Sequence, residues 1–182
     1  MINQKKTQIR KDIKELKKQF SLDLKKQKSE KIFSQLEKLD VFLQANTVML
    51  YWSMNDEVFT HDFILKWHPE KKIILPSVKG AELELKVFEG IEKLSPGESF
   101  GIGEPTGEVF SNQNEIDLII VPGVAFDKQN NRLGRGKAYY DKLLKTTQAE
   151  KIGICFDFQL LDAVPVDEYD VKMDLVISNL EK

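Results

Sequence analysis

Residues 132–141, Arg-Leu-Gly-Arg-Gly-Lys-Ala-Tyr-Tyr-Asp, combine glycines, cations, tyrosines and an acid within ten positions. The two glycines let a ligand approach the backbone closely and permit positive φ angles. Arg132, Arg135 and Lys137 supply charge for an anion, and their density favours polyphosphate. Asp141 is suited to Mg²⁺, which proteins bind through one or two carboxylates plus substrate phosphates. These residue types predict a nucleotide-using enzyme.

The place of this segment in the chain supports the same interpretation. It follows the apolar run Ile116–Val121, a predicted buried strand, and precedes a helix predicted from Lys137 to Thr147. Open α/β sheets bind ligands beyond the carboxyl ends of their strands, and helix N-termini favour phosphate. The segment is neither a Walker A loop nor a dinucleotide fingerprint. The alternative is a tight connector whose cations are only solvated.

Two features at the start of this helix leave alternatives open. Tyr139 and Tyr140 are adjacent and point to different sides of a helix, so we expect one in the core and one stacking on a ligand. Asp141 either binds a metal or stabilises the helix start electrostatically.

Other candidate residues lie outside this segment. Lys6 and Arg10 are four apart and share a helix face, which fits solvated surface, a basic nucleic-acid arm or a ligand site. Residues 51–57, Tyr-Trp-Ser-Met-Asn-Asp-Glu, are either core aromatics followed by a polar turn or a pocket wall with a carboxylate at its rim. His61 and His68 match no metal-ligand spacing, so we expect surface or satisfied core histidines.

The elements that must position these residues follow from periodicity. Helices are predicted over residues 4–20, from the N-cap Ser21 to about Leu39, and over 60–67 and 137–147. Strands are predicted over residues 47–52, 72–76, 83–87, 116–121, 151–156 and 173–178, and a glycine- and proline-rich loop over 95–107. Strands alternating with helices predict a mostly parallel α/β sheet with helices on both faces.

Composition sets further bounds. The chain has 182 residues, 41% of them hydrophobic, and a net charge of −2, which suits one ordinary globular domain. The charge is uneven, because residues 1–31 hold 11 of the 27 Lys and Arg but 4 of the 29 Asp and Glu. Cys155 lies in an apolar run and is expected to be a buried, inert thiol. The first residues lack an apolar signal core and no run reaches membrane-spanning length, so we expect a cytoplasmic protein that binds no membrane.

The motifs together resemble a known family. Pro122-Gly-Val-Ala-Phe-Asp127 followed by residues 132–141 is similar to the signature of the 5-formyltetrahydrofolate cyclo-ligases, also called 5,10-methenyltetrahydrofolate synthetases. The resemblance continues in order through Lys6-x-x-x-Arg10, residues 51–57, Gly101-Ile-Gly-Glu-Pro105 and the acidic segment 164–174. Departures are Asn131 and Ala138, where the family often has glycine, and Lys142, where arginine is common. Asn131 is expected to keep a left-handed turn.

The resemblance implies a single three-layer α/β/α domain over residues 1–182, with an N-terminal helical pair. It implies that ATP and 5-formyltetrahydrofolate give 5,10-methenyltetrahydrofolate, ADP and phosphate, in a monomer that binds no nucleic acid. The formyl oxygen would attack the γ-phosphate, and N10 would then displace phosphate from the activated carbon.

The resemblance also implies site residues. Arg135 and Lys137 would be catalytic. The nucleotide would contact Lys6, Arg10, Arg132, Leu133, Gly134, Arg135, Gly136, Lys137, Ala138, Tyr139 and Tyr140. The folate would contact Trp52, Glu57, Arg135, Gly136, Lys137, Ala138 and Tyr139. Mg²⁺ would be held by Asp141 and Asp170, with Asp174 as the alternative to Asp170.

Two rival functions remain at this point. A sugar-phosphate isomerase or coenzyme A transferase would use a similar sheet without nucleotide turnover. A non-catalytic nucleic-acid binder would use the basic N-terminal helix and would bind with steep salt dependence.

Overall fold

The computed structural model describes residues 1–96 and 103–180. The helices of this part are α1 (Ile2–Lys18), α2 (Leu22–Leu36), α3 (Asp40–Gln44), α4 (His61–Trp67) and α5 (Tyr139–Leu144), with short 3₁₀ turns at Ile91–Lys93, Gln113–Glu115 and Asp157–Gln159. The strands are β1 (Thr47–Met49), β2 (Lys72–Lys79), β3 (Glu82–Val87), β4 (Leu94–Pro96), β5 (Gly103–Pro105), β6 (Leu118–Val121), β7 (Ala125–Asp127), β8 (Arg132–Leu133), β9 (Glu150–Cys155), β10 (Leu160–Leu161) and β11 (Leu175–Ser178).

Six strands form the central sheet in the order β11-β9-β6-β1-β2-β3. Every neighbouring pair is parallel except β2 and β3, which form an antiparallel hairpin with Lys79 opposite Glu82. The hairpin turns at Gly80, whose φ of 61° is a conformation that glycine adopts without steric cost. The predicted mostly parallel α/β sheet is therefore confirmed.

Alternate residues of the central strands enter two separate hydrophobic clusters. Val48 and Leu118 belong to the cluster that contains side chains of α2, α3 and α4, whereas Met49 and Ile119 belong to the cluster that contains Leu143 and Leu144 of α5. This alternation is the period-two rule for a strand whose two faces are both covered. The all-apolar strand β6, Leu-Ile-Ile-Val, is fully buried for the same reason.

Two smaller sheets were not predicted. Strands β10, β7 and β8 form one, so a strand, β7, lies between the predicted strand Ile116–Val121 and the segment 132–141. Strands β4 and β5 pair antiparallel from Leu94–Pro105 to Pro96–Gly103, so the loop prediction for residues 95–107 is wrong at residues 95–96 and 103–105. Gly97 and Gly101 of that segment lie outside the described residues.

The helix starts show which local predictions held. Ser21 caps α2 as predicted, because its hydroxyl accepts a hydrogen bond from Leu24 N at 3.2 Å. The left-handed turn expected at Asn131 lies instead at Asn130, with φ 66°, and the Asn131 side chain donates to Asp127.

None of the helices in the described ranges has both the length and the apolar character needed to cross a bilayer.

Candidate active site

Two cavities meet at the segment formed by residues 132–141, called here the motif segment. The first, the aromatic cavity, is lined by Trp52, Glu57 and Tyr139 together with most of the motif segment. The second, the charged cavity, is lined by Lys6 and Arg10 of α1 and by Asp141, Asp167, Tyr169 and Asp170. Gly134, Ala138 and Asp141 border both cavities, so a ligand in one lies next to a ligand in the other.

The neighbouring strands β1 and β6 bring the parts of the site together. They pair in parallel, with Met49 opposite Ile119, so their carboxyl ends lie side by side. Residues 51–57 continue from β1, and the chain after β6 leads through strands β7 and β8 into the motif segment. This is the sheet edge at which open α/β folds bind ligands.

The hairpin of β7 and β8 is organised by Asp127. Its buried carboxylate accepts hydrogen bonds from the backbone N–H of Gln129, Asn131 and Val164 and from the Asn131 side chain, at 2.9 to 3.0 Å. Burial alone would raise the pKa of Asp127, but these hydrogen bonds outweigh it and hold the pKa below its ordinary value. The turn that delivers the motif segment is thus fixed by one side chain.

Arg132 is a buried residue that holds the motif segment together. It is 4% exposed, donates to Asp141 Oδ1 at 2.8 Å and to the Pro122 carbonyl at 3.1 Å, and lies 5.7 Å from the Tyr140 ring centroid. A Cβ at Gly134 would lie 3.0 Å from Arg132 Nη1, so glycine makes room for the guanidinium. Arg132 Nε and the Tyr140 hydroxyl have no hydrogen-bond partner within residues 1–96 and 103–180.

Arg135 lines the aromatic cavity, and its guanidinium contacts two acids. Its Nη2 lies 3.0 Å from Glu57 Oε1 and 3.2 Å from Asp56 Oδ1, while Glu57 Oε2 accepts from Met54 N at 3.0 Å. Burial would lower the pKa of Arg135, but the two carboxylates raise it above its ordinary value. The guanidinium therefore remains charged and is held at the rim of the cavity.

Lys137 differs from the other cations of the motif segment. Like Arg135, it is exposed and lines the aromatic cavity. In the described ranges its ammonium takes part in no ion pair, whereas Arg132 and Arg135 both do. Its charge is therefore available to a ligand without breaking a contact within the protein.

Helix α1 supplies the cations of the charged cavity. Lys6 is buried and lies 2.7 Å from Asp167 Oδ2 and 2.5 Å from Asp170 Oδ2. Burial would lower the pKa of Lys6, but the hydrogen bonds and charges of the two acids raise it. Arg10 Nε donates to the Gly134 carbonyl at 2.9 Å, and the Arg10 guanidinium lies against Gly136.

The start of α5 carries a left-handed residue. Ala138, the N-cap of α5, has φ 55°, which explains why glycine suits this position. Tyr140 packs against the hydrophobic cluster below α5, so the expected core tyrosine is identified. Tyr139 lines the aromatic cavity and its hydroxyl donates to the Gly80 carbonyl at 3.3 Å; stacking on a ligand stays a prediction.

Both histidines and the cysteine have structural surroundings, as predicted. His61 stacks on Trp52 with ring centroids 3.9 Å apart, and its Nε2 lies 3.0 Å from the Ser53 carbonyl. Burial lowers the pKa of His61. His68 contacts the Phe88 ring edge-on. Burial raises the pKa of the Cys155 thiol to about 12, so it stays protonated and inert.

The candidate metal ligands do not all lie in the site. Asp141 and Asp170 both line the charged cavity, but Asp174 lines neither cavity and instead accepts from Lys151 N at 2.7 Å. The described residues contain no group of three or more metal-binding side chains. Hydrogen bonds engage only Oδ1 of Asp141 and Oδ2 of Asp170, so in these contacts the second oxygen of each carboxylate is left for another ligand.

Known proteins are similar to this chain in sequence along nearly its whole length. A model of the 5-formyltetrahydrofolate cyclo-ligase family matches residues 2–179. The chain belongs to this family. A Schizosaccharomyces pombe protein named a probable 5-formyltetrahydrofolate cyclo-ligase is 35% identical over 167 residues, covering 81% of each chain. A Haemophilus influenzae cyclo-ligase is 29% identical and covers 95% of this chain and 97% of its own.

Solved structures of two cyclo-ligase relatives share the fold. The Aquifex aeolicus 5,10-methenyltetrahydrofolate synthetase has a TM-score of 0.86 and 36% identity, covering 97% of this chain and 90% of its own. The Mycoplasma pneumoniae 5,10-methenyltetrahydrofolate synthetase has a TM-score of 0.77 and 30% identity, covering 96% and 99%. The family resemblance stated from the motifs is confirmed, and the isomerase, transferase and nucleic-acid alternatives lose their support.

The residues predicted for the cyclo-ligase site distribute over both cavities. Of those predicted for the nucleotide, the charged cavity is lined by Lys6, Arg10, Leu133, Gly134, Gly136 and Ala138. The remainder, Arg132, Arg135, Lys137, Tyr139 and Tyr140, line only the aromatic cavity. Of those predicted for the folate, all but Gly136 line the aromatic cavity.

Sequence reasoning assigned no individual role to three charged residues that lie in this cyclo-ligase site or beside it. Lys17 and Asp56 form an ion pair at 3.0 Å beside Arg135, and Asp167 pairs with Lys6. Lys17 carries a usable signal, because it lies four residues after Ile13 and therefore on the buried face of α1. A charged residue on an apolar helix face requires a partner.

Proposed function

We propose that this cyclo-ligase family member converts 5-formyltetrahydrofolate and ATP to 5,10-methenyltetrahydrofolate, ADP and phosphate. The observation that carries the proposal is the contact between the two cavities at Gly134 and Ala138. An aromatic cavity with a carboxylate at its rim suits a pterin, and a cavity lined by the cations and backbone of α1 and the motif segment suits a triphosphate. The reaction requires the two ligands to touch.

The chemical difficulty is that a formamide carbon is a poor electrophile. In the proposed route the formyl oxygen forms a bond to the γ-phosphorus and ADP departs, which turns the formyl oxygen into part of a phosphate leaving group. The N10 electron pair then attacks the activated carbon, N10 releases its proton to water, the C–O bond breaks, and phosphate leaves with that oxygen. The charge that remains is delocalised over the N5–C–N10 bridge of the methenyl product.

Such a phosphoryl transfer depends on positioning and charge stabilisation more than on a strong base. Lys137 and Arg135 line the aromatic cavity within the motif segment, which also borders the charged cavity. They would stabilise the negative charge that develops between the formyl oxygen and the γ-phosphate. Trp52, Glu57 and Tyr139 would bind the pterin by stacking and hydrogen bonds.

The nucleotide would lie along α1 and the glycines of the motif segment. Arg10 already contacts the Gly134 carbonyl through Nε, and this hydrogen bond leaves its two Nη groups for phosphate oxygens. Lys6 would add charge while bound to Asp167 and Asp170. Leu133, Gly136 and Ala138 would contribute backbone contacts at the same wall.

Mg²⁺ fits the acids of this cavity. Asp141 and Asp170 each have one carboxylate oxygen outside the hydrogen bonds described above, and Mg²⁺ binds readily through two carboxylates plus phosphates. When bound, the ion would neutralise phosphate charge. Arg132 and Lys6, which hold the two acids now, fix where those oxygens point.

The test is a coupled measurement of folate and nucleotide turnover. Purified protein with 5-formyltetrahydrofolate, ATP and Mg²⁺ should gain the absorbance of the methenyl product, with one ADP released per product. Neither signal should appear when ATP is omitted or when folic acid, which carries no formyl group, replaces the substrate. ADP release that does not depend on the formyl group, or the absence of both signals with folded protein, would contradict the proposal.

A further inference from the structure

Asp56 links the turn that follows β1 to helix α1 and to the motif segment. Its Oδ2 lies 3.0 Å from Nζ of Lys17 in α1, and its Oδ1 lies 3.2 Å from Nη2 of Arg135 in the motif segment. Asp56 itself belongs to the polar turn that follows β1. As defined by the described residues, neither cavity is lined by Asp56.

We propose that Asp56 is a positioning residue that holds Arg135 at the mouth of the aromatic cavity and ties it to helix α1. The proposal rests on the function proposed above, in which Arg135 stabilises the transferring phosphate. Asp56 would act through Arg135 and would not contact substrate.

The Lys17 contact anchors Asp56 to helix α1. Lys17 is 6% exposed, and an unpaired buried ammonium is costly, so Asp56 compensates for its burial. Lys17 lies two helical turns after Arg10, so both side chains leave α1 on one side. Arg10 reaches the Gly134 carbonyl directly, and Lys17 reaches Arg135 through Asp56. Helix α1 therefore contacts two adjacent residues of the motif segment. It binds the Gly134 carbonyl through Arg10, and it contacts the Arg135 side chain through Lys17 and Asp56.

The Arg135 contacts leave a free edge for substrate. Asp56 and Glu57 both accept from Nη2 at 3.0 to 3.4 Å, and no other guanidinium nitrogen of Arg135 is engaged within the described residues. Burial would raise the pKa of Asp56, but Lys17 and Arg135 lower it, so the carboxylate is ionised at neutral pH. Two acids on one nitrogen fix the plane of the guanidinium and direct its remaining donors elsewhere.

The deciding experiment is a double-mutant cycle on turnover. Asp56→Asn should lower kcat by about tenfold with a smaller change in KM, because a misplaced donor costs transition-state stabilisation. Once Arg135→Ala has removed the group through which Asp56 acts, adding Asp56→Asn should lower kcat less than twofold further. Asp162→Asn, which neutralises the exposed partner of Lys128, is the matched control and should leave kcat unchanged. Full, independent losses in the double variant would overturn the proposal.

A purely structural role makes a different prediction. If Asp56 only compensates for Lys17, the double variant Lys17→Met/Asp56→Asn should regain both the melting temperature and kcat of the natural protein. We expect it to regain the melting temperature while kcat stays about tenfold low. Recovery of both quantities would overturn the proposal.

A readout without turnover separates this proposal from the proposed function. The guanidinium N–H resonances of Arg135, assigned by their loss in Arg135→Lys, should lose protection from solvent exchange in Asp56→Asn and keep it in Asp162→Asn. Retained protection in Asp56→Asn would overturn the positioning role even if the natural protein turns over. If Asp56→Asn loses this protection but the natural protein does not turn over the folate, the positioning role of Asp56 is supported and the proposed substrate is contradicted.

Discussion

The three cations of the motif segment differ in whether their charge is already paired within the protein, although they look equivalent in sequence. Arg132 is buried against Asp141, Arg135 is held by Asp56 and Glu57, and Lys137 is exposed and makes no ion pair in the described part of the chain. An ion-paired cation has part of its field cancelled before a ligand arrives. Lys137 is therefore the residue from which we expect the largest catalytic contribution.

Replacing Lys137 by Ala should lower kcat by about 100-fold and change the KM for 5-formyltetrahydrofolate by less than about threefold, because removal of a donor to developing charge costs that much. Steady-state kinetics with varied folate checks this result. Lys128→Ala, at an exposed surface pair, should change neither constant. A rise in KM with unchanged kcat would make Lys137 a binding residue only.

Two neighbouring positions should respond oppositely to exchange between alanine and glycine. Ala138 has φ 55° and Gly136 has φ 95°, a region that costs an alanine about 1 to 2 kcal/mol. Ala138→Gly should therefore stabilise the protein by up to about 1 kcal/mol. The relief of backbone strain in the folded state is partly offset, because glycine raises the conformational entropy of the unfolded chain. Urea unfolding measures the change.

Gly136→Ala is the paired variant and should destabilise by about 1 to 2 kcal/mol through backbone strain. The added Cβ would lie 3.5 Å from Arg10, an ordinary contact, so steric overlap contributes little. Equal signs for the two variants would show that the left-handed conformations do not control stability here.

At the scale of elements, helix α1 behaves as one wall of the site. Its buried face packs Ile13 against Leu133 and Ala125, and its polar residues Lys6 and Arg10 line the charged cavity. The helix is basic, with no acidic residue in its first turn, so phosphate is a complementary ligand.

Arg10→Ala should raise the KM for ATP by about tenfold or more, because a hydrogen bond to a charged group contributes roughly 1.5 to 3 kcal/mol. The KM for the folate should change much less, because Arg10 lines only the charged cavity. Varied-nucleotide kinetics tests this, with exposed Lys14→Ala on the same helix as the control. An unchanged KM for ATP would remove α1 from the nucleotide site.

Elements with strong periodicity were predictable and short ones were not. The apolar run of β6 and the spacing of α1 identify those elements, since each repeats one signal over several residues. Strands β8 and β10 have two residues each, too few for any period to appear. They exist because the Asp127 turn and the neighbour β7 hold them in register. Tertiary contacts decide such segments.

The site was predictable to the extent that its residues are adjacent in sequence. The motif segment brings its own glycines and cations together. For residues 51–57 the sequence left a choice between core aromatics and a pocket wall, and four of these residues line the aromatic cavity. The pairings that set the charge on each group were not predictable. Lys6 meets Asp170 across 164 residues and Arg135 meets Asp56 across 79, and no local pattern encodes such distances.

At the scale of the whole molecule, Asp127 links acidity to global stability. Its carboxyl group has a folded-state pKa below its ordinary value of 3.8, so the unfolded chain binds the proton more readily. The stabilisation is fully present only from about pH 5 upwards, well above the unfolded-state value of 3.8, and is lost as the pH falls through the folded-state pKa. The free energy of unfolding should therefore decline as the pH falls below about 5.

Asp127→Asn should lower the free energy of unfolding at pH 7 by about 2 to 3 kcal/mol, because its buried donors lose a charged acceptor. The variant should also show a smaller decline between pH 5 and pH 3, since that part of the proton linkage is removed. Urea unfolding across this range measures both effects. An identical pH slope in the two proteins would contradict the role of Asp127.

The pairing of Lys6 with Asp170 also bears on how the protein is made. Helix α1 leaves the ribosome before the two acids that neutralise its buried lysine, because Asp167 and Asp170 are synthesised 161 and 164 residues after Lys6. At typical elongation rates the helix waits on the order of ten seconds to half a minute before its partners emerge. Five of the six strands of the central sheet are synthesised during this interval, whereas Lys6 can pair with its acids only after Asp167 and Asp170 have emerged. The nascent chain therefore completes the charged cavity only after most of the sheet has been made.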